Sequence, residues 1–237
     1  MDSTVRLWID LNWDNVPAGL QRVPITVKGA HGQKVTVHLV VRNEPLYADE
    51  VKDRFIESNR AIAMEAEHFS RAVDAPPVCW QVIPDLGRTL SGVTIMPVTG
   101  PPQSAAGDSP RLEYDVYVRD TGQVTVKAYL SPGLNFYEQQ GLRYGISFDD
   151  DPVQIVNMHE GRTFQDWERS VSDNITLGIS QHALTRPGGH VLKFWAVDAG
   201  VVLQRLVIET GPVPASYLGP PESCRGPVLL PAVKGRP

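Results

Sequence analysis

The residues most suited to chemistry in this chain are aromatic side chains and planar polar groups in segments that are not strand-like. Sugar rings bind by stacking on an aromatic face, and planar amide or guanidinium groups hydrogen-bond their hydroxyls. The aromatic candidates are Trp80, Phe136, Tyr137 and Trp167, and the alternative for Trp80 and Trp167 is core packing beneath a loop. The polar candidates are Arg88, Asn135, Arg143 and Asn174.

Two carboxylates offer a second kind of site. Glu65 and Glu67 are two residues apart in a predicted strand, so both should point to one face. Carboxylate oxygens are the ligands that Ca²⁺ prefers. The alternative is a pair that is hydrogen-bonded or faces solvent.

Other reactive patterns carry less weight. The acidic run at 149–151 is followed by Pro152, which favours a solvated turn between two strands. No G-x-S-x-G motif, phosphate loop or dinucleotide fingerprint occurs, and no catalytic residue is predicted. Cys79 and Cys224 are too few for a disulfide scaffold, and the sequence leaves open whether they pair.

Composition narrows the class of partner. The chain has 237 residues and a net charge of -5, which does not favour a phosphate-binding surface, so no nucleic-acid partner is expected. No apolar run approaches the roughly 20 residues that span a bilayer, so no membrane partner is expected either. The 20 glycines and 20 prolines suit short strands joined by tight turns.

The elements that must position these side chains are predicted to be strands, which makes the fold class all-β. Alternating apolar residues predict strands at 5–11, 23–27, 35–41, 61–69, 92–96, 112–118, 123–130, 143–148, 153–158, 190–197 and 201–209. The segment 163–175 lacks alternation and could be helical. The predicted organisation is a partial β-rich segment (1–45), a linker or short helix (46–60), a jelly-roll β-sandwich (61–212) and an extended tail (213–237).

Several segments resemble known carbohydrate-associated domains. The stretch 63–69 and the pair 190–195 and 200–208 are similar to the first and last strands of carbohydrate-binding module families 6 and 35, which have a galactose-binding-like jelly roll. A closer resemblance is to the C-terminal domain of glycoside hydrolase family 115, over about residues 60–224. Its segments are 80–89, 112–115, 129–136, 141–144, 192–204 and 216–223.

The resemblance implies a role. Family 115 enzymes are xylan α-1,2-glucuronidases whose catalytic residues lie on an upstream barrel, which this chain is too short to contain. The chain is therefore expected to be a non-catalytic accessory region that contacts the catalytic domains of its parent enzyme, supports a homodimer and helps bind glucuronoxylan. A stand-alone module that binds xylan or another uronate-bearing glycan is the alternative. The parent enzyme is expected to be secreted, periplasmic or on the cell surface.

The resemblance also implies a metal. In the related modules the first strand helps to form a structural calcium site, usually with an Asp of the last strand. Gln204 occupies that position here. The candidate calcium ligands are therefore Glu65, Glu67 and Gln204.

Overall fold

The computed structural model describes residues 9, 11, 12, 15–29, 32–43, 48–137 and 140–226, and the chain divides into two compact units, Met1–Tyr47 and Ala48–Pro237. In the first unit, β1 (Gly19–Lys28) and β2 (Lys34–Asn43) form an antiparallel hairpin. Apolar side chains of both strands are exposed, among them Leu20, Val35 and Val40. The strand predicted at 5–11 lies largely outside the described residues.

The second unit is almost entirely strands. In chain order it contains α1 (Ala48–Val51), β3 (Phe55–Ile56), β4 (Ala61–Glu65), β5 (Arg71–Val73), β6 (Cys79–Ile83), β7 (Gly92–Met96), β8 (Arg111–Val118), β9 (Gly122–Leu130), β10 (Arg143–Phe148), β11 (Gln154–Asn157), α2 (Phe164–Asp173), β12 (Thr176–Leu184), β13 (Gly188–Ala196) and β14 (Leu203–Glu209). Within the described part of the chain, neither helix is long and apolar enough to cross a membrane.

Two six-stranded sheets make up this unit. The front sheet has the order β11-β10-β13-β8-β3, with β5 also paired to β8. The back sheet has the order β12-β9-β14-β7-β6, with β4 paired to β14. Pairing between the named strands is antiparallel except between β3 and β8.

The core lies between the two sheets. In β8 and β9, every second residue is buried, so each strand has one apolar inner face and one outer face. Inner side chains of both sheets form one large cluster that includes Tyr114, Leu130, Phe148 and Leu206. The all-β jelly-roll sandwich predicted from the sequence is therefore confirmed.

Two local predictions have different outcomes. The predicted helical segment at 163–175 is confirmed, because α2 occupies most of it. The strand predicted at 61–69 is too long, since β4 ends at Glu65 and Ala66–His68 form a single 3-10 turn. Glu65 and Glu67 therefore do not share a strand face.

Candidate functional site

A groove of about 350 Å³ lies over the outer face of the back sheet. Its floor includes Tyr129 of β9 and Leu177 of β12. One wall comes from α2, and the others come from the connection before β7 and the segment after β14. The groove, called here the arginine groove, is lined by Arg88, Tyr129, Arg162, Asp166, Arg169, Ser170, Asp173, Ile175, Leu177, Ser216 and Tyr217.

The wall formed by α2 begins at a well-defined helix cap. The Thr163 hydroxyl accepts a hydrogen bond from the Asp166 N–H (3.3 Å), and the Asp166 carboxylate accepts one from the Thr163 N–H (2.8 Å). Hydrogen bonds from the Thr163 side chain and backbone lower the pKa of Asp166. The helix ends at Asn174, which adopts the left-handed conformation at φ 53°. This cap places Arg162, Asp166 and Arg169 along the groove.

Arg88 forms part of the opposite wall. Its guanidinium carbon lies 3.5 Å from the centre of the Tyr217 ring, which is a cation–π contact. The Arg88 backbone N–H donates to Gln204 Oε1 at 3.0 Å, which fixes this segment on the sheet. Arg88 and Tyr217 therefore place a planar guanidinium group and an aromatic ring side by side in the lining of the groove.

A small cavity continues below the groove. It has a volume of about 10 Å³, roughly the space of one water-sized atom, and shares Arg88, Tyr129 and Ile175 with the groove. Arg205 also lines it. The Nε atoms of Arg88 and Arg205 are buried and have no hydrogen-bond partner among the described residues. Arg205 Nε lies 3.5 Å from Glu65 Oε1, so the Nε donor that remains for an oxygen acceptor is that of Arg88.

The charges of the groove suit an anionic ligand with hydroxyl groups. Three arginines line it against two aspartates, and one of those carboxylates is engaged by Thr163. Arg162 also donates to the Leu177 carbonyl (2.6 Å), so part of its guanidinium is occupied. Guanidinium groups pair with carboxylates in bidentate fashion, and tyrosine rings stack on sugar faces.

The sequence-predicted sugar-binding residues are not gathered in one place. Arg88 lines the groove, and Asn174 lies next to two of its residues, Asp173 and Ile175. Trp167 is on α2, but it does not line the groove, and its ring stacks on Phe164 with centres 5.7 Å apart. Phe164 is 70% exposed. Its i, i+3 spacing from Trp167 was the signal that could have singled it out.

The other candidates lie elsewhere. Trp80 packs against the core, and its indole N–H donates to the Val73 carbonyl at 3.1 Å, so the packing alternative describes it better. Phe136 and Tyr137 stand in the β9–β10 connection with ring centres 4.8 Å apart, and Asn135 precedes them. Arg143 forms a bidentate pair with Asp198, at 2.8 and 3.0 Å, which leaves Arg88 as the better partner for a carboxylate.

The predicted calcium ligands do not fit a calcium ion. Glu65 accepts a hydrogen bond from the Thr89 hydroxyl at 2.7 Å, and Gln204 Oε1 is held by Arg88. The guanidinium of Arg205 lies 3.5 Å from Glu65 and brings a positive charge to the place where the cation would bind. Glu67 is in the 3-10 turn after the strand. The described residues contain no group of three or more metal-binding side chains.

The two cysteines, Cys79 and Cys224, are both exposed and unpaired. This answers the question that the sequence left open.

Comparison with known proteins gives the family. Residues 54–222 match the glycosyl hydrolase family 115 C-terminal domain. No curated protein sequence matches the chain. Among solved structures, the chain is similar to BtGH115A, a family GH115 4-O-methyl-α-glucuronidase with specificity for decorated arabinogalactans, with a TM-score of 0.50 and 18% identity. That match covers 66% of this chain and 18% of the enzyme.

Two carbohydrate-binding modules are also similar. A family 35 module from Clostridium thermocellum has a TM-score of 0.40 and 14% identity, and the match covers 62% of this chain and 97% of the module. The C-terminal family 6 module of LamC from Zobellia galactanivorans has a TM-score of 0.40 and 10% identity, with 63% of this chain and 98% of the module covered.

The family match extends over more than half of the chain and falls on the jelly-roll unit. This match confirms the resemblance to the family 115 C-terminal domain that the sequence analysis describes. The chain belongs to the glycosyl hydrolase family 115 C-terminal domain family.

Proposed function

We propose that this chain is the non-catalytic accessory region of a xylan α-1,2-glucuronidase-like glycoside hydrolase and that it binds uronate-bearing glycan in the arginine groove. The observation that carries the proposal is a groove lined by three arginines and two tyrosines, in which the buried Nε of Arg88 has no hydrogen-bond partner among the described residues. A sugar carboxylate would accept hydrogen bonds from Arg88 and Arg169, and a sugar ring would stack on Tyr129 or Tyr217.

The ligand class follows from this chemistry. A neutral xylan backbone offers no group that matches three guanidinium groups, whereas a glucuronic acid branch offers a carboxylate. Two uronate-bearing glycans are candidate ligands. Glucuronoxylan is implied by the family resemblance, and decorated arabinogalactan is the glycan for which BtGH115A is specific. Binding to both with equal affinity would mean that the groove recognises the uronate alone.

Isothermal titration calorimetry with aldouronic acids and with matched neutral xylo-oligosaccharides tests the proposal. We expect binding of the acidic sugars only. Removal of one charged hydrogen-bond partner costs about 1.5–3 kcal/mol, so Arg88→Ala should weaken binding about tenfold or more. Arg169→Ala, at an exposed position on α2, should weaken it to a smaller extent.

The matched control is Arg186→Ala. Arg186 is an exposed arginine in the connection between β12 and β13, at the end of β12 that is remote from the groove. This variant removes the same charge and should bind like the parent chain. Equal loss of affinity in Arg186→Ala and Arg88→Ala, or equal binding of neutral and acidic sugars, would contradict the groove assignment.

The homodimer and the contact with the catalytic domains are further parts of the proposal. Analytical ultracentrifugation of the chain, alone and with the parent enzyme's catalytic domains, tests both. If the isolated chain binds glycan as a monomer and does not associate with those domains, the stand-alone binding module becomes the better description. Release of glucuronic acid from an aldouronic acid by the purified chain would contradict both.

A further inference from the structure

One row of side chains crosses the outer face of the back sheet. Glu65 of β4 and Tyr129 of β9 are the direct cross-strand partners of Arg205 in β14, so all three point to the same side. The side chains of Glu65 and Arg205 are 9% and 5% exposed, and Arg205 Nε lies 3.5 Å from Glu65 Oε1. A buried carboxylate needs an opposite charge, and here the guanidinium supplies it.

The same guanidinium holds a second part of the chain. Its two terminal nitrogens donate to the carbonyls of Leu218 (2.8 Å) and Pro220. These residues belong to the segment 216–224, called here the strap, which follows β14. The guanidinium of Arg205 therefore connects the sheet to the strap.

The strap then continues along β4. Glu222 Oε1 accepts from the Glu65 N–H at 2.9 Å, and the Ser223 N–H donates to the Ala63 carbonyl at 2.9 Å. The Ala63 N–H in turn donates to the Ser223 hydroxyl at 3.1 Å. The strap therefore occupies the backbone groups of β4 that would otherwise form an open sheet edge.

We infer that Arg205 acts as a built-in cation: it neutralises Glu65, a calcium ligand predicted from the sequence, and it fixes the strap so that Tyr217 stands against Arg88 as a wall of the groove. Two consequences follow. Stability should not depend on calcium, and Arg205 should be a positioning residue for the ligand. The second consequence rests on the proposed function, whereas the first does not.

The test combines three measurements on the full chain. The unfolding temperature of the unsubstituted chain should be unchanged by millimolar CaCl₂ or EDTA. Arg205→Met should increase hydrogen–deuterium exchange of the strap amides and weaken aldouronic acid binding about tenfold or more. Lys127→Met is the matched control, because Lys127 also forms an ion pair on the back sheet, with Glu209 at 2.6 Å, but does not line the groove.

Arg205→Met leaves Glu65 buried without its partner and could prevent folding. The double variant Glu65→Gln, Arg205→Met removes both charges, so it should fold while its strap still exchanges faster. An increase of the parent chain's unfolding temperature with calcium, or a strap that stays protected in the double variant, would overturn the inference. If the parent chain binds no uronate, the proposed function fails but the calcium and exchange results still decide the role of Arg205.

Discussion

Several charged side chains of the two sheets are already paired within the protein. Arg143 is engaged by Asp198, Lys127 by Glu209, and Arg205 by Glu65 and the strap. A guanidinium held in this way has fewer donors left for a ligand. Arg88 and Arg169 differ, because neither forms an ion pair within 4.0 Å among the described residues, although the charge of Arg169 contributes to the lowered pKa of Asp166. This is why the glycan proposal depends on these two arginines.

Two histidines are expected to make the stability of the fold depend on pH. Burial lowers the pKa of His182 from 6.5, although Asp151 acts in the opposite direction, and burial together with the charge of Arg162 lowers the pKa of His159. The folded chain therefore holds these protons less tightly than the unfolded chain. Their contribution to stability is complete above the unfolded pKa of 6.5 and is lost as pH falls through that value toward the folded pKa.

We expect the unfolding temperature to decrease between pH 7.5 and pH 5 and His182→Gln to make that decrease smaller. His38→Gln is the control, since His38 is exposed on β2. Circular dichroism melts at several pH values would measure both. A pH dependence that is the same in His182→Gln as in the parent chain would exclude this histidine as a cause.

At the scale of elements, the sequence predicts strands well where one face is apolar. β7 and β10 have the predicted bounds, and β8 and β9 differ by one residue at the start. The sequence analysis did not predict β12, because small and polar residues occupy its buried positions and an apolar residue occupies an exposed one. Its inner positions include Gly178 and Ser180, whereas Ile179 points outward and is 50% exposed.

The structure explains this pattern. A Cβ atom at Gly178 would lie 1.9 Å from the hydroxyl oxygen of Tyr144, whose ring is buried in the opposite sheet. The small residue on β12 is thus complementary to a large one on β10, and a pattern read along one strand cannot show which residue of the other sheet faces it.

The groove could not be predicted from the sequence for a similar reason. Arg88 and Tyr217 meet only because the strap returns across the sheet, so only Arg88 was chosen from the sequence.

α2 is the element whose stability the groove depends on most directly. Thr163→Ala removes the hydroxyl that caps the helix and should cost about 0.5–2 kcal/mol of unfolding free energy. Uronate binding should weaken with it, because Arg162 and Arg169 lose their support. Ser172→Ala, at an exposed position of the same helix, should change neither property. Urea titration with parallel calorimetry would measure both, and a Thr163→Ala chain as stable as Ser172→Ala would contradict this account of the cap.

At the scale of the whole molecule, the chain consists of two units of very different kind. Residues 48–237 contain two sheets packed around a large apolar cluster. The described part of residues 1–47 is a hairpin that exposes apolar side chains, and an isolated two-stranded hairpin is at best marginally stable in water. The stability of the jelly-roll unit is therefore expected to come from its own core.

Deletion of residues 1–47 tests this division. The shortened chain should retain a single cooperative unfolding transition, because every strand of both jelly-roll sheets lies after residue 48. A second variant, Leu206→Ala in the shortened chain, removes a fully buried side chain and should lower its stability by about 2–5 kcal/mol. Calorimetry of both proteins gives the answer. If the shortened chain melts without a cooperative transition while the 237-residue chain shows one, the sandwich needs the N-terminal unit and does not fold independently.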